Sequence, residues 1–232
     1  MVNYTYTYLI GALILLVPWI ILFLWRKDTR KEMLIISIIF GFIGVLFESI
    51  TMLDWWRPLT ITGTLPSIED FIYTFAIAGI GAVAYSVIFN KKVKIKKRSE
   101  KTEFKRNLNF GFLGLMGILI FFGSFFILKL NTLIAFIIGA LIPIFIIWIK
   151  RKDLILSSII SGFLLLIISA PVYYLLELIS PGWIDAFWYF QNTPKIILFW
   201  VPIDDIIFYF LSGLLLGPLY EYWQEGRLVN KK

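Results

Sequence analysis

Seven stretches of mostly apolar residues recur along the chain, each near the length that carries an α-helix across a hydrocarbon core of ~30 Å. They cover 6–25, 33–53, 68–89, 108–128, 132–149, 154–179 and 203–220. No other feature constrains the fold as much. In lipid every backbone polar group must be bonded within the protein, so a run of this length and continuity has to be helical. The composition agrees, with 59% hydrophobic residues, 16% charged residues and a mean hydropathy of +0.85. A water-soluble domain is thereby excluded. The expected fold is all-α, a polytopic membrane bundle of about seven helices. The sixth run contains Pro171, which removes a helix hydrogen bond and predicts a break or kink there. The first run is not read as a cleaved leader, since no basic residue precedes it and no small-residue cleavage site follows.

The basic residues sort by side. Seven crossings put 19 of the 22 Lys and Arg on one face: Arg26 to Lys31, Lys91 to Arg106, Lys150 to Lys152, and Arg227, Lys231 and Lys232. Only Arg57, Lys129 and Lys195 fall on the other. By the positive-inside rule the N-terminus is expected outside and the C-terminus in the cytoplasm, with multi-pass residence in the cell membrane. The net charge of +7 therefore reports orientation, and the 91–106 stretch reads as a loop beside anionic headgroups rather than a nucleic-acid site.

Cysteine and histidine are both absent, which removes disulfides, thiolate and imidazole catalysis and the usual zinc sets. Carboxylates, lysine and tyrosine are left to move protons. Six carboxylates fall at one depth: Glu48, Glu69, Asp70, Glu177, Asp204 and Asp205. Ionisable groups at membrane depth are costly and mark function by default. Capping explains part of the set, since Ser67 with Asp70 three residues on has the form of a capping box, and acids after Pro202 suit a helix start. Capping does not need the second acid of each pair, nor Glu48 and Glu177. Neighbouring acids on one helix point ~100° apart, so one of each pair is expected to face the bundle interior.

Several carboxyls sharing an apolar space hold at least one proton between them. The sequence surrounds them with Trp55, Trp56, Tyr73, Trp188, Tyr189, Trp200 and Phe208, whose ring faces attract cations without offering a reactive lone pair. An interfacial aromatic belt is the simpler reading for several of these. An acid within an aromatic lining, with no metal set and no cofactor fingerprint, suits carbocation chemistry on an apolar polyene. The Gly79-x-Gly81-x-x-Ala84 pattern lies inside a span with no strand before it and reads as helix packing, as do Gly213-x-x-x-Gly217 and Gly111, Gly114 and Gly117.

A weak internal repeat runs through these features. Glu69-Asp70 and Asp204-Asp205 each open a span shortly after a proline and a Trp-rich outer loop, and the cytoplasmic turns Trp25-Arg26-Lys27-Asp28 and Trp148 to Asp153 are alike. Spans one to three then map onto five to seven in the same orientation, with span four as connector. The expected division is 1–90 as the first three-helix unit, 91–131 as basic loop and connector helix, and 132–232 as the second unit.

On these residues the chain resembles the integral-membrane lycopene cyclases, of the heterodimeric or fused type. The family's outer-loop W-x-Y/N-P element, glycine and Pro-x-Glu-Glu-x-x-Phe motif are matched by Trp55-Trp56-Arg57-Pro58, Gly63 and Pro66 to Tyr73. The second set is Trp188-Tyr189 and Pro202 to Phe208. Ser67 is inserted after the first proline, and aspartates stand where the second motif usually has glutamates. The resemblance implies redox-neutral, acid-catalysed cyclisation of lycopene ends to β-rings, with an apolar carotenoid substrate, no cofactor and no metal. Glu69 and Asp205 lead as acid and base candidates, with Asp70, Asp204, Glu48 and Glu177 as partners. The aromatic residues Trp55, Trp56, Tyr73, Trp188, Tyr189 and Phe208 would line the substrate. Another terpenoid cyclase, a hydratase, a prenyltransferase or a proton-coupled transporter remain alternatives, and a homo-oligomer stays open. A retinal pigment is disfavoured, because the seventh span carries no lysine for a Schiff base.

Overall fold

The computed structural model describes residues 3–95 and 98–231. Among these residues seven long helices are apolar enough to cross a membrane: α1 (Thr7–Trp25), α2 (Arg30–Thr51), α3 (Ile68–Ile88), α4 (Glu100–Phe126), α5 (Thr132–Lys150), α6 (Ile155–Ile179) and α8 (Ile203–Gln224). A short α7 (Trp183–Phe187) follows α6 on the same side as the carboxylates. The polytopic helical bundle read from the sequence is the fold observed. Of the basic residues sorted above, Lys96, Lys97 and Lys232 lie outside the described residues.

Two details refine the expectation. Helix α6 runs unbroken through Pro171, as α1, α5 and α8 do through Pro18, Pro143 and Pro218. Neighbouring helices shelter the backbone, and a membrane helix tolerates the missing donor. The described part of the basic stretch also holds regular structure rather than loop alone. Lys91–Lys94 forms strand β1, and Lys101, Lys105 and Arg106 ride on the first turns of α4. These turns are too polar to register as part of a span, yet Glu100 and Glu103 suit the helix's positive N-terminal end.

Helices α3 and α8 form the centre. Helix α2 packs along α3, α6 along α8, α1 against α3 and α6, and α5 against α8, while α4 lies outside on α5. Small residues allow the close approaches. Gly213 sits on the backbone of Ser161 and Gly162, and Gly79 lies against Trp19 and Ser37, where the Trp19 indole donates to the Ser37 hydroxyl at 2.8 Å. At the end carrying the arginines, Arg26 is buried and donates to Asp28 and to the carbonyls of Ser86, Val87 and Lys91. Arg151 likewise donates to Asp153 and to the carbonyls of Glu221 and Gly226. Beneath them β1 pairs antiparallel with β4 (Arg227–Asn230), tying the end of α3 to the end of α8. At the opposite end a two-residue hairpin joins β2 (Ile197–Leu198) to β3 (Val201–Pro202), and Trp56 forms an antiparallel bridge with Trp188.

Candidate active site

Helix boundaries bring the carboxylates together. The C-terminal part of α2 and the N-terminal turns of α3 and α8 lie at the same end, which places Glu48, Asp70 and Asp205 around one cavity of about 500 Å³. Its wall is otherwise almost wholly apolar and aromatic.

Each acid is held differently. Asp70 takes three donors, the Tyr8 hydroxyl at 2.7 Å on Oδ1 and the Ser67 amide and hydroxyl at 2.6 and 2.8 Å on Oδ2. It is also the reciprocal member of the capping box on α3, whose Ser67 hydroxyl accepts from the Asp70 amide. Asp205 Oδ2 accepts from the Trp188 indole at 2.8 Å. Glu48 Oε2 accepts from Thr51 at 2.7 Å and the Trp56 indole at 3.2 Å, while its buried Oε1 has no donor.

The other three predicted acids are not on the cavity wall. Glu69 is fully buried, and its Oε1 accepts from the Ile61 amide in the α2–α3 loop at 2.7 Å. Asp204, also fully buried, accepts from Thr193 at 3.4 Å and from the Asp205 amide at 3.2 Å. Glu177 accepts from the Gly182 amide at 2.5 Å and so orders the turn into α7. In each motif pair, therefore, the second acid faces the cavity and the first holds the surrounding loop.

Of the predicted aromatics, Trp55, Trp56, Tyr73, Trp188 and Phe208 line the cavity. Tyr189 does not; its backbone amide instead donates to the Trp55 carbonyl, and Trp200 sits half-exposed in the β2–β3 turn. The rings interlock mostly edge to face or tilted: Tyr8 on Trp56 at 4.8 Å, Trp56 with Trp188 at 5.1 Å and Phe136 with Phe208 at 5.2 Å. Such faces present partial negative charge to the space they enclose.

Tyr8, Tyr173, Trp183 and Phe136 also line the cavity, and Tyr209 lies behind it, bonded to the hydroxyls of Tyr73 and Tyr173. Trp183 belongs to the Trp-rich outer loop read from the sequence, whereas the only sequence signal of the others is a phenol or ring inside an apolar run. Glu32 and Glu221, buried with an unpartnered oxygen each, stand at the other end of the bundle and give no motif at all. Gly111 and Gly114 depart from the packing role, because a side chain at either would meet open space and both lie on the cavity wall. Gly117 does pack, against Gly139 and Pro143 of α5.

A comparison with family models now bears on this geometry. Residues 129–223 match the lycopene cyclase family. The lycopene cyclase match spans α5 to α8 and contains Trp183, Trp188 and the Asp204-Asp205 pair, so the recognised part is the one that supplies Asp205 to the cavity. It supports the lycopene cyclase resemblance and a carotenoid cyclase. Comparison with curated proteins and with solved structures gives no match.

Proposed function

We propose that the chain is a lycopene β-cyclase-like enzyme, closing polyene ends to rings by acid catalysis without net redox change. The observation that carries this reading is an apolar, aromatic-lined cavity holding carboxyls from both ends of the chain: Glu48 and Asp70 from the first, Asp205 from the second. A carboxylic acid protonates the terminal double bond, the next suitably placed double bond captures the cation, and a carboxylate removes a ring proton. The product is an isomer of the substrate, so atoms and electrons balance. The aromatic faces lower the cost of the cation between these steps and exclude water that would quench it.

The hydrogen bonds suggest a division of labour. Asp70, with three donors, is arranged as an acceptor and suits the base. Glu48 suits an acid aimed at the polyene, because its buried Oε1 has no donor and is best filled there by a carboxyl hydrogen, and Asp205, held through Oδ2 by the Trp188 indole, is the acid from the second end of the chain. The two ends of the chain then act as parallel three-helix copies with the carboxylate end outside, as the basic face of the bundle and the positive-inside rule favour.

Among the described residues no lysine or arginine lines the cavity, and Lys195 is paired with Asp185 at 2.7 Å near the surface. A diphosphate substrate would lack its counter-charge there, which weighs against a prenyltransferase.

Expression in a lycopene-accumulating bacterial host with pigment chromatography tests the proposal. Appearance of monocyclic or bicyclic carotene supports it, and unchanged lycopene with verified membrane expression overturns it. In the same assay Glu48→Gln is expected to lower conversion ~100-fold, within the range of general-acid contributions. Glu177→Gln should stay near the unsubstituted rate, because its amide oxygen still accepts from Gly182. Equal losses from both would remove Glu48 from the chemistry.

A further inference from the structure

The cavity is not closed on all sides. It follows α8 from Asp205 to Leu219, about 20 Å of helix at 1.5 Å per residue, so it reaches through much of the bilayer's depth. Along that length its side wall is shared by α2, through Ile39 and Ile43, and by α4, through Gly111 and Gly114. These two helices meet near the carboxylate end, where Phe47 stacks on Phe121 at 4.1 Å and touches Phe122 edge-on. Towards the arginine end their packing lapses, since α4 is carried by α5 and, more lightly, α8. Gly111 and Gly114 are exposed and yet line the cavity, as does Leu115, 54% exposed at the rim.

We propose that the gap between α2 and α4 is a side entrance from the lipid, in which the tail of a long apolar polyene lies while its end group sits among the acids. The proposal rests on the cavity being a polyene site. Chemistry favours this route over one through either end of the bundle. The carboxylate end is roofed by the Trp56–Trp188 bridge and by α7, and the other end is closed by β1, β4 and the clamps of Arg26 and Arg151. An apolar ligand dissolved in the bilayer reaches the gap without leaving hydrocarbon. Glycine at 111 and 114 keeps it wide. Helix propensity would favour almost any other residue at both positions, by up to ~1 kcal/mol each, and no packing contact at either glycine opposes one.

That absence of contacts makes the test clean. Gly123 also lies on α4 with open space around its Cβ, but it is not on the cavity wall. Gly111→Phe, Gly114→Phe and Gly123→Phe are therefore the same change on the same helix, and differ in whether the new ring stands in the gap. Purified proteins in lipid nanodiscs would be titrated with methyl cis-parinarate, a fluorescent tetraene that accepts energy from the cavity tryptophans. Gly111→Phe and Gly114→Phe are expected to weaken the apparent affinity about tenfold, a difference of ~1.4 kcal/mol, with Gly123→Phe unchanged and all three melting near the unsubstituted protein. Unaltered binding in the first two, equal loss in Gly123→Phe, or no saturable binding by the unsubstituted protein each overturns the entrance. The same variants in the lycopene host separate the two proposals. If the tetraene pattern holds while no form of the protein converts lycopene, the entrance stands and the cyclase reading falls.

Discussion

Asp205→Asn and Asp70→Asn are each expected to cut carotene formation by about a thousandfold in the lycopene-accumulating host, within the range that loss of a positioned acid or base produces. The substitutions keep shape. At position 205 the oxygen of the new side-chain amide would still accept from the Trp188 indole, and at position 70 it would serve the Ser67 amide while the Tyr8 hydroxyl turns to accept. What disappears is the exchangeable proton at one site and the proton acceptor at the other. Membrane yield and melting temperature should stay close to the unsubstituted protein, so a fall in product reports chemistry. Conversion by both variants at the unsubstituted rate would remove the two residues from the reaction.

Gly213→Ala is expected to act on stability instead. Its Cβ would stand 2.7 Å from the Gly162 Cα and 2.8 Å from the Ser161 carbonyl carbon. These are backbone atoms of α6 that no rotamer change can move aside. Forcing a methyl group into a packed contact costs up to ~3 kcal/mol, and the α6–α8 seam it opens positions Asp205. For a chain of this size that amounts to a fall of roughly 10 °C in melting temperature, measurable by tryptophan fluorescence in detergent. Gly123→Ala, with nothing near its Cβ, serves as the control. An unchanged melting temperature in Gly213→Ala would show that the seam has slack.

How much of this was legible beforehand depends on the signal each feature leaves. The spans were, because hydrocarbon thickness imposes a length and the apolar runs obey it; the observed ends move mainly where a helix continues into polar residues, as at Glu100. The convergence of acids was legible in kind. Its detail was not, because position along a helix sets direction only relative to that helix. Glu69 and Asp70 were known to diverge, but which one faces inward depends on how α3 is rotated against α1 and α2. The capping argument also misled in one respect. It treated capping and lining as alternatives, whereas Asp70 does both, with its carboxylate bonded to Ser67 while it borders the cavity. Gly111 and Gly114 show the same ambiguity in another form, since a glycine that admits a neighbouring helix and a glycine that keeps a space empty are identical in sequence. Tyr8 was invisible for want of a charge, although it is the phenol that orients Asp70.

The ladder between β1 and β4 has a consequence for how the gene can be cut. Between the two ends of the chain the backbone runs through residues 95–131, and the links across the molecule are otherwise non-covalent, among them the β1–β4 pairing, the Trp56–Trp188 bridge, and the packing of α1 on α6 and of α3 on α6 and α8. A break just before α4 leaves one piece ending shortly after β1 and another whose C-terminal strand is its mate. Two such polypeptides inserted in one membrane are confined to a plane with a shared orientation, so their encounter is a search in two dimensions. Neither would hold the full set of carboxyls alone, and under the cyclase proposal pigment would form only in cells that make both.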